Sequence, residues 1–301
     1  MLRREFLSIV ARKILAQKPN RYGWIPGHYS REISLIKHLH RYGEGKLACL
    51  WKPYQEVTGR EWLAHDQAGS DCVAQATGGG MDLLTCKQIA IGKKEKWITK
   101  SSTDAIYSGG RNLIGNINGG GMVGEWAVKY LQDYGNLLRK KYPPYNLQPS
   151  TADTLDHWDR VGLPKSLLAI AKQHPLISYT PVRSYNEFRD AITAGYPVLF
   201  CAALGGKDAR RDKDGFIQPR GTWHHGWLGA GVDDNDIRPG ACLINSHSTN
   251  YGSGPKRHGQ PDGSVWVDAK YIDYHCKRYQ DSYALSGYHG FPIPERRYVL
   301  W

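Results

Sequence analysis

A chain of 301 residues that is 41% apolar, with 34 glycines and 16 prolines, is long enough to bury one large core or two medium ones, which excludes a disordered or fibrous protein. No apolar run approaches the roughly 18 to 20 residues that a membrane span requires. The 40 Lys and Arg against 28 Asp and Glu give a net charge of +12, spread from Arg3-Arg4 to Arg296-Arg297; such a charge favours a polyanionic partner (nucleic acid, an anionic envelope or an acidic protein) and equally fits a basic protein with no such ligand.

The N-terminal stretch "MLRREFLSIVARKILAQKPNRYGW" breaks its apolar residues with Arg12, Lys13 and Lys18, unlike a secretion signal. Phe6, Leu7, Val10, Ile14 and Leu15 fall near helical spacing, which predicts a short basic amphipathic helix docked on the protein's own core, with binding to a membrane surface as the alternative. Turn signals follow at Pro19-Asn20, Pro26-Gly27 and Gly43.

In "HDQAGSDCVAQATGGGMDLL", a polar turn precedes Cys72, and the apolar residues after it suit a helix packed on a core. A cysteine in the first turn of a helix meets free backbone N–H groups and the positive end of the helix dipole, both of which favour the thiolate. Glycines 78–80 fall inside that helix, where each costs about 1 kcal/mol relative to Ala, so either close packing requires them or the helix bends. The other cysteines, Cys49, Cys86, Cys201, Cys242 and Cys276, form no CxxC pair, which argues against a zinc site and a disulfide scaffold; Cys201 and Cys242 sit in apolar runs suited to inert core thiols.

Further along, "GYPVLFCAAL" reads as a strand, and residues 205–222 as a charged loop. His225 opens an apolar run that ends at the turn Asp233-Asp234-Asn235, and a second strand, "ACLINS", reaches Asn245. Two strands joined this closely are antiparallel neighbours, which brings the Asn245 side chain near the histidine. A thiolate nucleophile needs such a base and a third group to orient it. His247 and His258, in polar loops, read as solvated. "DDND" lacks the later glycine and glutamate of a calcium loop, and "GSGPKRHG" lacks the ending of a phosphate loop, so no metal or cofactor is expected.

The order Gln, Cys, His, Asn resembles the papain-like cysteine peptidases. "DQAGSDCVAQA" is similar to their "QGxxGSCWAF" block, "NGGGMVGEWAVKYLQDYGNLLRKKYPPY" to their Gly-Gly segment with its helix and "YPY" ending, "GYPVLFCAAL" to "GPVSVAI", "HHGWLGAGVDD" to "NHAVLAVGY", and "INSHSTNYGSG" with "DGSVWV" to "KNSWGTxWGxxGY". The resemblance spans roughly residues 65–275. It implies an α+β, two-lobed fold in which a helical lobe with a central Cys-bearing helix packs on an antiparallel, barrel-like sheet lobe. It implies Cys72 as nucleophile, His225 as general base and acid, Asn245 as the residue that orients the imidazole, and Gln67 with the backbone N–H of Cys72 as the oxyanion hole. Gly119 and Gly120 would be a side-chain-free edge for an extended peptide substrate, or an ordinary tight turn.

This sequence departs from that pattern in places. Gln67 stands one residue closer to the cysteine than is usual, and Val73 replaces the usual aromatic residue. His247 replaces the Trp that shields the His–Asn hydrogen bond, which leaves that bond wetter unless Trp223 or Trp227 takes over. The cysteine usual near the Gly-Gly segment is absent, which agrees with a reducing compartment.

The implied organisation is an N-terminal extension over 1–60 (a propeptide-like cover, a docking arm or part of the packed fold), a helical lobe over 61–165, and a sheet lobe over 166–301, with the loop 205–222 over the cleft. The expected function is hydrolysis of a peptide-like amide through a thioester acyl-enzyme. Two alternatives are a papain-like fold kept as a structural or binding component, as in a phage virion, and acyl transfer by the same triad. The expected location is the cytoplasm, or a virion.

Overall fold

The computed structural model describes residues 23–27, 34–64, 66–92, 97–115, 119–206, 209–235 and 237–287. The amphipathic helix expected before residue 23 lies outside them. Among the described residues, eight α-helices and a seven-stranded antiparallel sheet make an α+β fold, and no helix is long and apolar enough to cross a membrane.

The helical half is built around α2 (Cys72–Gly92), whose first turns are buried on all sides. A helix that is apolar all round belongs inside a core, and α2 packs against α1 (Trp51–Thr58) and α3 (Thr103–Gly109) on one side and the sheet on the other. The helix runs without a break through the glycines at 78–80. A Cβ at Gly79 would stand 2.9 Å from Leu228 Cδ2, and one at Gly80 2.7 Å from Leu285 Cδ1, so the helix lies close against the sheet because these positions carry no side chain. Next in the chain come α4 (Gly124–Asp133), the short hairpin β2 (Lys141–Tyr142) and β3 (Tyr145–Asn146), α5 (Ala152–Val161) and α6 (Lys165–Ala171). Thr151 caps α5 by accepting the Thr154 N–H at 3.1 Å.

The sheet runs in the order β4 (Tyr179–Pro181), β9 (Tyr283–Leu285), β5 (Val198–Ala202), β6 (His225–Asp233), β7 (Gly240–Ile244), β8 (Ser264–Asp268). β6 pairs with β5 from His225 to Gly229 and then, past a bulge at Ala230, with β1 (Leu47–Cys49). Residues 47–58 are therefore built into both halves of the fold, β1 as a strand of the sheet and α1 against α2. The helices α7 (Tyr185–Thr193) and α8 (Ala269–Tyr279) pack on the sheet and on each other.

One expectation changes. The charged loop is pinned along β8: Phe216 bridges to Trp266 and is buried, while Arg238 ties Asp212 to Asp268 at 2.7 and 2.5 Å. What lies on Cys72 is Gly23, in the segment Gly23–Gly27. His258 is exposed, and its Nε2 lies 2.8 Å from Asp233 Oδ2, which also accepts from Arg257. Among the described residues no cluster of His, Cys, Asp or Glu could hold a metal ion.

Candidate active site

Cys72 is the first residue of α2, with the Asp71 carbonyl accepting the Gln75 N–H at 2.9 Å to close the first turn. Its thiol is wholly buried. The Gly226 N–H donates to Sγ at 3.2 Å, which joins the helix terminus to the start of β6, one residue past His225. A Cβ at Gly226 would lie 2.8 Å from Val73 Cα, so only glycine permits this approach of strand to helix.

On the ring of His225, Nε2 faces Asn245 Oδ1 at 2.9 Å, and the same oxygen accepts the Ser246 N–H at 2.7 Å. Among the described residues Nδ1 has no hydrogen-bond partner. Burial pushes the Cys72 thiol up to about 12 and the His225 imidazole down to about 3, so both are neutral across the physiological range.

The rings of Trp223 and Trp227 stand where the usual tryptophan is missing. Trp223 stacks on His225 with ring centroids 4.2 Å apart and 16° between planes, while Trp227 meets the imidazole edge-on at 5.0 Å. His247 adds a third ring 5.3 Å from His225 but is itself exposed. Both His225 and Asn245 are consequently buried.

Gln67 is brought to the same corner but turned away from the thiol. Its Nε2 donates to the Gly69 carbonyl at 2.7 Å, and its Oε1 accepts from Ser246 Oγ at 2.7 Å. Gly120 faces Ser70, whereas nothing stands within 4 Å of a Cβ at Gly119. The loop they belong to is held by Arg111, whose guanidinium donates to the carbonyls of Gly119 and Gly121 and pairs with Asp159.

An extended segment does pair along this edge, and it comes from the protein itself. Ile25 N–H donates to Met122 O at 3.0 Å and Met122 N–H to Gly23 O at 2.8 Å, a parallel bridge at Met122 rather than at Gly119 or Gly120. Gly23 thereby lies on Cys72. Trp24 is buried between His224 and Tyr279, and its indole N–H donates to Asp281 Oδ2 at 2.8 Å. Asp281 in turn caps α4 by accepting the Gly124 and Glu125 N–H groups at 2.8 and 3.1 Å. The sequence reading missed Trp24, Arg111 and Asp281; the only signal for the first was a tryptophan beside a glycine in an otherwise polar stretch.

These features define the papain-like cysteine protease fold, with which solved structures agree. The chain is similar to xylellain, a cysteine protease from Xylella fastidiosa (TM-score 0.63, 19% identity, 89% of this chain and 96% of that one). It is also similar to the cysteine protease and lectin-like domains of Cwp84, a surface layer associated protein of Clostridium difficile (TM-score 0.56, 16% identity, 95% of this chain and 60% of that one). A third match is procathepsin B S9 from Trypanosoma congolense (TM-score 0.50, 11% identity, 89% of this chain and 82% of that one). No protein-family profile matches the chain, and no curated protein matches it in sequence.

Proposed function

We propose that this protein is a cysteine peptidase or amidase whose site is kept latent by its own residues 23–27. The observation that carries the reading is the His225 Nε2–Asn245 Oδ1 contact at 2.9 Å beside a helix-terminal cysteine. A proton on Nε2 leaves the Nδ1 lone pair for the thiol proton. The thiolate then attacks the amide carbon, the developing oxyanion meets the backbone N–H of Cys72 at the helix terminus, and His225 returns the proton to the leaving amine. Water, activated by the same imidazole, hydrolyses the thioester. Gln67 joins the oxyanion hole only by exchanging its bond to Gly69 for one to the substrate.

While Gly23 covers Sγ, thiol and imidazole are desolvated and the ion pair cannot form, so the strap has to leave before the chemistry starts. The test uses a peptide-like electrophile that acylates or alkylates active-site thiols. Protein opened by limited proteolysis in the strap should gain one adduct, at Cys72, and should hydrolyse amides. Equal labelling of Cys72 and the half-buried Cys49 by a simple alkylating agent, with no turnover of any amide, would favour the binding or structural role instead.

A further inference from the structure

We propose that Gln75 is a positioning residue for Asn245, acting through one water held between Gln75 Oε1 and Asn245 Nδ2. The proposal rests on His225 being the base, since its consequence is the direction in which that ring is held.

Gln75 stands three residues after Cys72, on the next turn of α2. Its Nε2 donates to Asp71 Oδ2 at 2.7 Å, so the amide is fixed and Oε1 points the other way. Asn245 is fixed in the opposite sense: Oδ1 is taken by His225 and Ser246, so Nδ2 is left to point outward from that pair. Both residues are 3% exposed, and among the described residues neither Gln75 Oε1 nor Asn245 Nδ2 has a hydrogen-bond partner.

The two atoms belong to residues that border one small crevice, walled otherwise by Trp62, Ala76, Leu228 and Ile244. The crevice has room for the centre of about one water, ≈ 10 Å³. An unpartnered acceptor and an unpartnered donor on two residues that line one such crevice are matched by a molecule that donates to Oε1 and accepts from Nδ2. The chain Asp71, Gln75, water, Asn245, His225 then runs from the helix cap to the imidazole. It gives the Asn245 amide a reason to keep its oxygen, rather than its nitrogen, on Nε2, and so selects the tautomer that leaves Nδ1 as acceptor.

The experiment has two arms. In the full, unmutated chain, the Asn245 side-chain amide protons should show a nuclear Overhauser cross-peak to a long-lived water; its absence overturns the proposal without any variant. Gln75→Met, which is nearly isosteric but apolar, should abolish that cross-peak and speed solvent exchange of the His225 Nε2 proton. In strap-opened protein it should lower kcat roughly fivefold to tenfold, about the worth of one buried hydrogen bond, with KM unchanged. In an Asn245→Ala background, Gln75→Met should cost nothing further, because it acts through that residue. Full additivity of the two substitutions overturns the proposal. If the protein turns over no amide at all, the peptidase reading fails, while the cross-peak still decides whether Gln75 holds Asn245.

Discussion

Gly23 packs directly on Cys72: a Cβ on Gly23 would stand 2.7 Å from Sγ and 2.5 Å from the carbonyl oxygen of Ser70. No residue larger than glycine fits there without a shift of the strap, since one of the opposing atoms is backbone. Overpacking of this kind costs about 1 to 3 kcal/mol, which multiplies the open population roughly 5- to 160-fold. Gly23→Ala should therefore raise the alkylation rate of Cys72 by that factor, read by intact mass after timed quenching. Trp24→Ala should act in the same direction through loss of the buried indole and its bond to Asp281. Unchanged labelling in both variants would mean that the strap does not control access to the thiol.

Within the proposed chemistry, Cys72→Ala abolishes amide hydrolysis in strap-opened protein, and Asn245→Ala leaves measurable residual turnover. The first removes the only atom that can form the acyl intermediate; the second removes a group that orients the base. Single-turnover acylation of both variants separates the two, and wild-type turnover by Cys72→Ala would assign the activity to another group.

Trp223 is the predicted replacement for the missing shield. Because its ring lies 4.2 Å from that of His225, Trp223→Ala should admit water to the His225–Asn245 bond. The imidazole should then titrate nearer its ordinary range, above the present value of about 3, and turnover should fall several-fold. Ring NMR of the variant checks the first effect. A titration identical to that of the parent would show that Trp227 alone keeps the ring dry.

Acid should destabilise the fold well above the carboxylate range. Burial holds His224, His225 and His275 below their usual pKa, His275 at about 4. The unfolded chain takes up protons on these rings from about pH 6.5 downward while the folded chain does not. Stability is then full above pH 6.5 and is lost as the pH falls toward 4. Asp71 and Asp82, raised by burial, the latter to about 7, work in the opposite sense, but the rings outnumber them. Thermal melts from pH 7.5 to 4.5 should show a falling Tm, and His275→Gln should flatten the decline. A Tm that rises on acidification would reverse the balance argued here.

Much of the site was legible because its signals are local. The polar turn before Cys72 and the small apolar residues after it specify a helix start within a few positions. The runs at 225–233 and 240–244 specify two strands with a short connection, and that connection alone dictates antiparallel neighbours, which is what carries Asn245 to His225. The glycines at 78–80 were ambiguous in sequence because a bent helix and a close contact leave the same composition; the packing of Leu228 and Leu285 on them resolves it.

The sequence by itself therefore determined the order of the reactive residues, the elements that bear them and the α+β architecture those elements build. Only the tertiary structure decided what surrounds them. Trp24 meets Asp281 across 257 positions of chain, Gln67 turns onto Ser246 across 179, and Arg111 reaches over to Asp159 to hold the glycine loop. Contacts between residues so far apart leave no periodicity or spacing to read, because the chain between them sets only how far they can reach, whereas burial and hydrogen bonding in the folded protein set which partner each one meets. The covered thiol, the stacked shield on His225 and the clamp on the glycine loop all belong to that second kind.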